Sequence, residues 1–236
     1  MTNMKKALLL LLAVAGAASA QRPYSPFVER VVTPDRSRQL KVALNQNLWI
    51  MYDLPQCQLY QAWNGGTKGG TLKEANFGWF DQNAHFPHWF TSEGTDYFKE
   101  SVGEYFSSWT KPADITLYYT KWKPQPLNYK AWSVSNGGAA VASKTRYRGY
   151  SLKGSEVKIN FGLILSDGKE ISVTETPEYS NAGGKNGITR KFTFANIPAG
   201  HSVSLKLPGS GWSGTGVAGG TYTVSANGES TLTGSW

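Results

Sequence analysis

The chain has 236 residues, a formal net charge of +8, 26 Gly, 11 Pro and a single cysteine, Cys57. One cysteine excludes an intrachain disulfide, and it excludes covalent c-type haem, which needs two cysteines followed by histidine. The basic residues are scattered rather than massed, which argues against nucleic acid as a partner.

Residues 1–20 read as a secretory signal. Lys5 and Lys6 form a short basic start, residues 7–15 are apolar, and Ala18-Ser19-Ala20 supplies the small residues of a cleavage site. The apolar core is shorter than the roughly 18 residues a membrane-spanning helix needs. Cleavage after Ala20 leaves Gln21 as the first residue, and losing Lys5 and Lys6 lowers the charge from +8 to +6. Residues 21–236 are expected to form one β-sandwich domain, with an internal boundary near 124–138. A chain of that size can bury a core without staples.

The first strong element is a β-hairpin over 47–66. Two aromatic-rich apolar runs flank Asp53-Leu54-Pro55-Gln56, and the second stops at Asn64-Gly65-Gly66. Cys57 lies inside this pattern and reads as a small buried hydrophobe. Trp49, Tyr60 and Trp63 are expected to pack inward. Residues 65–111 follow as elaborated loops carrying Trp79, Trp89 and Trp109 among Gly, Asn, His and Pro. Within them only 95–106 has a helical pattern, with Thr95 as cap. His85 and His88 stand three apart near Asp81, Glu93 and Asp96, but Pro87 lies between them and argues against a helical ligand pair. Ordinary loop hydrogen bonding is the expectation, with no metal and no other cofactor.

Strands dominate from Asp114 onward. Residues 114–121 alternate, and Trp122 follows between Lys121 and Lys123. After the Pro- and Gly-punctuated stretch 124–138, which carries Trp132, strands are expected at 144–152, 156–165, 170–175, 188–194, 202–207, 221–226 and 230–233. Asp167-Gly168 and Asn227-Gly228 mark two tight hairpins, and a loop is expected around Asn181, Gly183, Gly184 and Gly187. On the strand at 144–152 a period of two puts Arg146 and Arg148 on one face. Many short strands with close turns mean an antiparallel β-sandwich, jelly-roll-like, with long aromatic loops and at most one short helix.

Candidate chemistry is sparse. Glu175 and Glu178 bracket Pro177 at a strand end, where pairing with Arg148 or Arg190 in a polar network is the expectation. No G-x-S-x-G, phosphate-loop or dinucleotide fingerprint is present. The surplus lies in the aromatics: nine Trp, twelve Tyr and ten Phe. Trp79, Trp89, Trp109, Trp122 and Trp132 are expected to form an exposed binding surface for a protein, a sugar ring or a membrane interface.

A set of short motifs adds a family resemblance. Arg36-Ser37-Arg38, Leu48-Trp49, Tyr52-Asp53, Cys57, Leu59-Tyr60 and Trp63-Asn64-Gly65-Gly66 come first. Tyr147-Arg148-Gly149-Tyr150, Glu175-Thr176-Pro177-Glu178-Tyr179 and Arg190-Lys191-Phe192 follow. In order and spacing they resemble a β-sandwich domain of large exported bacterial proteins that also carry class I cytochrome c modules, some with sugar-dehydrogenase-like propellers. The resemblance implies a β-sandwich platform working near periplasmic electron transfer or sugar oxidation, with no catalytic role to carry over. This chain departs from it where Gly-Gly-Val-Asn-Phe-Asp-Gly becomes Gly65-Gly66-Thr67-Lys68-Gly69-Gly70.

The expectation is therefore an exported, non-catalytic interaction module, periplasmic or at the cell surface. Its expected role is an accessory subunit docking through aromatic loops onto a membrane redox or envelope complex. A carbohydrate-binding module or carbohydrate-active enzyme is the alternative. An outer-membrane barrel ranks lower, because counting back by twos from Trp236 gives no lipid-facing apolar band.

Overall fold

A computed structural model describes residues 27–33, 36–45, 48–63, 96–99 and 130–236. The apolar runs at the N-terminal end form a five-stranded antiparallel sheet. Its strands are β1 (Phe27–Thr33), β2 (Arg36–Asn45), β3 (Leu48–Asp53), β4 (Gln58–Trp63) and β5 (Asp96–Lys99), paired in chain order. Strands β3 and β4 are the expected hairpin, and both are buried on both faces, which is why they are largely apolar, with Gln58 and Gln61 as buried polar exceptions in β4. Leu59 and Ala62 pack into the same core although three residues apart. A register shift opposite Met51 and Tyr52 makes that geometry, a β-bulge placing one extra residue in β4.

The hairpin turn follows local chemistry. The Cys57 N–H donates to the Leu54 carbonyl at 3.2 Å, closing a four-residue turn with Pro55 at its second position. Cys57 itself then takes φ 50. A left-handed conformation costs a side-chain-bearing residue about 1–2 kcal/mol, and the contacts made around the turn offset it.

The remainder builds two further antiparallel sheets. β6 (Trp132–Asn136) and β7 (Ala139–Val141) form a tight hairpin, and a meander follows: β8 (Ser143–Lys153), β9 (Glu156–Leu165), β10 (Glu170–Ala182) and β11 (Lys185–Ala195). The chain then crosses to β12 (His201–Lys206), β13 (Trp212–Ser213), β14 (Val217–Ala218), β15 (Thr221–Val224) and β16 (Gly228–Ser235). One sheet has the order β13-β16-β11-β10-β9-β8, the other β14-β15-β12-β6-β7.

The six-stranded sheet is long enough to face both others. At roughly 3.3 Å per residue, β10 spans about 40 Å. On its inner face Phe161, Leu163, Ile171, Val173, Phe192 and Phe194 pack against Trp132, Val203, Leu205 and Tyr222 of the third sheet. Further along the same face, Val157, Ile159 and Ile188 pack against Leu40, Val42, Ile50 and Tyr52 of the first. Two cores thus lie end to end under one sheet, with β2 against β10 and β3 against β11. The outer face is Thr-, Lys- and Glu-rich, the polar alternation of a half-solvated antiparallel sheet.

The fold class is the expected all-β antiparallel sandwich, and among the described residues the sheets do not close into a barrel. The helix expected over 95–106 is corrected where it is described. Asp96–Lys99 is strand β5, because the edge of β4 supplies backbone partners and Phe98 gains a buried site. The loop expected at 181–187 is a two-residue turn, Gly183-Gly184, with φ 61 and 80. Those angles fit a type I′ turn whose twist lets β10 and β11 pair to Ala182 and Lys185. The C-terminal part of the stretch 124–138 is strand β6 and its turn within the sandwich.

Candidate functional site

Two features stand out: a polar cluster at the seam between the two cores, and an aromatic cluster at one lateral edge.

The seam is built from β3, β10 and β11. Register pairs Glu175 with Phe192 and Pro177 with Arg190, so Glu175 and Arg190 are diagonal neighbours on the inner face. Both side chains are 0% exposed. Arg190 Nε donates to Glu175 Oε1 at 2.6 Å and Nη2 to Oε2 at 3.0 Å, a two-pronged pair. The Tyr52 hydroxyl, from the opposite sheet, donates to Glu175 Oε1 at 2.5 Å. The guanidinium lies over the rings of Phe192 and Trp212, at 5.0 and 5.6 Å from their centroids. Burial and the adjacent Glu175 charge hold the Tyr52 hydroxyl well above the ordinary tyrosine range. For Arg190, burial acts to lower the guanidinium, and Glu175 outweighs it to raise it. A carboxylate sealed this way holds two sheets together and has no route to a solute.

Beside this cluster the β3–β4 turn plugs the seam. Trp132 Nε1 donates to the Cys57 carbonyl at 2.9 Å, Thr145 Oγ1 to the Pro55 carbonyl at 2.6 Å, and Gln58 Nε2 to the Lys206 carbonyl at 3.2 Å. One short turn is therefore tied to β6, β8 and the end of β12. The Cys57 thiol donates to the Leu54 carbonyl at 3.2 Å, and burial pushes it far above its ordinary range. It is an inert core thiol, as expected. Tyr52, Cys57, Tyr147, Glu175 and Arg190 all pack at or beside this seam.

The aromatic cluster closes the sandwich where β5 meets β13 and β16. Trp236 stacks on Tyr97 at 5.2 Å and 15°, and meets Phe98 at 5.3 Å and Trp212 edge-on at 5.7 Å. Glycines make the room. A Cβ on Gly234 would lie 2.9 Å from Trp236 and 3.0 Å from Trp212, and one on Gly209 would lie 2.7 Å from Phe98. Trp212 Nε1 donates to the Pro208 carbonyl and Trp236 Nε1 to the Ser210 carbonyl. A run of donors borders the rings: Asn181 Nδ2 to the Tyr179 hydroxyl, that hydroxyl to Asn186 Oδ1, and Asn186 Nδ2 to the Tyr97 hydroxyl. Tyr97, Tyr179, Trp212 and Trp236 are all half-buried.

The residues anticipated as functional fare differently. Trp132 is corrected. It is 1% exposed, lies among Phe161, Phe192 and Phe194 in the main core, and belongs to no surface. Its burial follows from its place on the inner face of β6, where it also meets the Cys57 carbonyl. Trp79, Trp89, Trp109, Trp122, His85 and His88 lie outside the described residues. The four-membered network of Arg148, Glu175, Glu178 and Arg190 divides into three pairs. Glu175 and Arg190 pair in the interior, Arg148 bonds Glu170 on the outer face, and Lys191 bonds Glu178 at 2.8 Å. Period-two alternation separates them, because Glu175 faces inward and Glu178 outward. Among the described residues, no group of His, Cys, Asp and Glu has the arrangement of a metal site. Trp212 and Trp236 were missed as a site, although Gly211-Trp212-Ser213-Gly214 and Gly234-Ser235-Trp236 show large rings beside glycines that let backbone and ring approach.

Fold and sites together define an all-β sandwich held by a buried ion pair and edged by half-exposed aromatics. No family model, curated protein or solved structure matches the chain.

Proposed function

We propose that this chain is an exported, non-catalytic interaction module. It acts in the periplasm or at the cell surface as an accessory subunit that docks onto a membrane redox or envelope complex through aromatic side chains. The observation that carries the reading is the half-buried cluster of Tyr97, Tyr179, Trp212 and Trp236, held rigid by glycine clearances and by the asparagine–tyrosine hydrogen bonds. Rigid half-buried aromatics offer large contact area at little entropic cost, and such residues dominate protein interfaces. Trp79, Trp89, Trp109 and Trp122 belong to the same reading, and the resemblance to domains beside cytochrome c modules supports its setting. Affinity capture from native membranes of the producing cell, followed by mass determination, tests it. A stoichiometric complex is expected that Trp236→Ala weakens while the variant still unfolds cooperatively. A wild-type chain that remains a lone soluble monomer sinks the proposal.

One observation favours a carbohydrate-binding role as the second reading. Asn181 and Asn186 place side-chain amides beside tyrosine rings, the pairing that a neutral sugar meets with its hydroxyls and its apolar ring face. Titration of tryptophan fluorescence with a glycan panel separates the two, and silence across the panel removes this reading.

A further inference from the structure

Strand β8 is the outermost strand of the six-stranded sheet, and it runs for 11 residues. Among the described residues, nothing pairs with its outer edge. Its two faces differ sharply. Register with β9 puts Lys144, Arg146 and Lys153 on the outer face, and β8 carries no acidic residue. Arg148 occupies a β-bulge between Tyr147 and Gly149 and reaches Glu170. Beyond the bulge Tyr150 pairs with Ile159 and Leu152 with Val157, so both side chains lean to the inner face. They are 40% and 43% exposed, the two large hydrophobics that stand out in water among the described residues.

Cations and bulges are also the devices that protect a free edge from aggregation. Protection alone does not explain why those two exposed apolar side chains sit on this strand. We infer that the β8 edge accepts an added strand from a partner protein, an extended segment alternating acidic and apolar residues. Such a strand gains backbone hydrogen bonds along the edge, while its period of two sends acids to Lys144, Arg146 and Lys153 and apolar side chains to Tyr150 and Leu152. A second copy of this chain fits poorly, because β8 against β8 sets cation against cation. A flat anionic membrane fits poorly too, because cations and apolar side chains lie on opposite faces and cannot meet one plane together. This surface is at the opposite edge of the sheet from the aromatic cluster, so either can fail without the other.

The test uses the full chain and a fluorescein-labelled nine-residue peptide alternating glutamate with valine and leucine, read by anisotropy. Saturable binding is expected. A peptide of the same composition with its acids grouped at one end should bind at least about tenfold more weakly. Two further peptides are N-methylated at the odd or at the even residues. One should lose binding and the other keep it, since only one set of amides faces β8. Tyr150→Ser with Leu152→Ser should weaken binding about tenfold while the variant still unfolds cooperatively, because neither side chain belongs to the buried core. Equal binding of all the peptides would reduce the edge to a charge patch and overturn the inference. So would no binding at about millimolar peptide, or binding only to phosphatidylglycerol vesicles.

Discussion

Glu175 and Arg190 show how one pair of side chains can define a seam. Neither can be removed alone without leaving an unpaired charge in the interior, and breaking a buried pair costs about 3–5 kcal/mol. Glu175→Gln is therefore expected to lower unfolding free energy by about that amount in urea titrations. The triple change Tyr52→Phe, Glu175→Leu, Arg190→Met removes every member at once and should recover much of the loss, because no charge is left stranded. A Glu175→Gln variant as stable as the wild type would mean the seam does not depend on the pair. Opposite charge at a strand end sets Glu175 and Glu178 in one expected network with Arg148 or Arg190. Only the true length of β10, out to Ala182, puts the two acids on opposite faces, while Arg148 meets Glu170 instead. Tyr52, 123 residues from Glu175, had no local signal at all.

Among the strands and turns, legibility tracks how local the cause is. The hairpins at Asp167-Gly168 and Asn227-Gly228 were readable because two residues dictate the backbone. In the sequence the β10–β11 turn reads as a loop, because Asn181 and Gly187 extend the glycine-rich signal past the real corner. That turn gives a clean test. A Cβ on Gly183 or Gly184 would meet nothing within 4 Å, so any penalty comes from backbone conformation alone. Gly184→Ala should cost about 1–2 kcal/mol, and Gly183→Asn much less, since asparagine tolerates positive φ. Melting midpoints would show it, and equal midpoints for the two variants would argue that the turn is not type I′. Strand β5 failed the local reading for the opposite reason: Asp96–Lys99 carries helical spacing, but the edge of β4 and the pocket beside Trp212 and Trp236 outweigh a weak propensity.

Across the three sheets, stability is linked to pH through groups held protonated at the seam. Burial raises both the Cys57 thiol and the Tyr52 hydroxyl above their unfolded values. A raised acid binds its proton more tightly when folded, so its contribution is complete below the unfolded value and is lost as pH climbs above it. Unfolding free energy should thus hold steady through neutral pH. It should begin to fall above about pH 9 as unfolded Cys57 ionises, and fall more steeply above about pH 10 as Tyr52 joins. Urea midpoints measured from pH 7 to 11 check this, and Cys57→Ala should move the onset toward pH 10. A midpoint unchanged up to pH 11 would contradict the sealed seam.

The all-β class, the period-two faces, the inert cysteine and the tight hairpins followed from amino-acid order alone, because each depends on residues within a few positions of one another. The division into two of the core under the long sheet, the role of the β3–β4 turn as a plug and the burial of Trp132 did not. They arise where strands more than 70 residues apart meet, and long-range register, not local propensity, chooses which side chains are sealed and which face water.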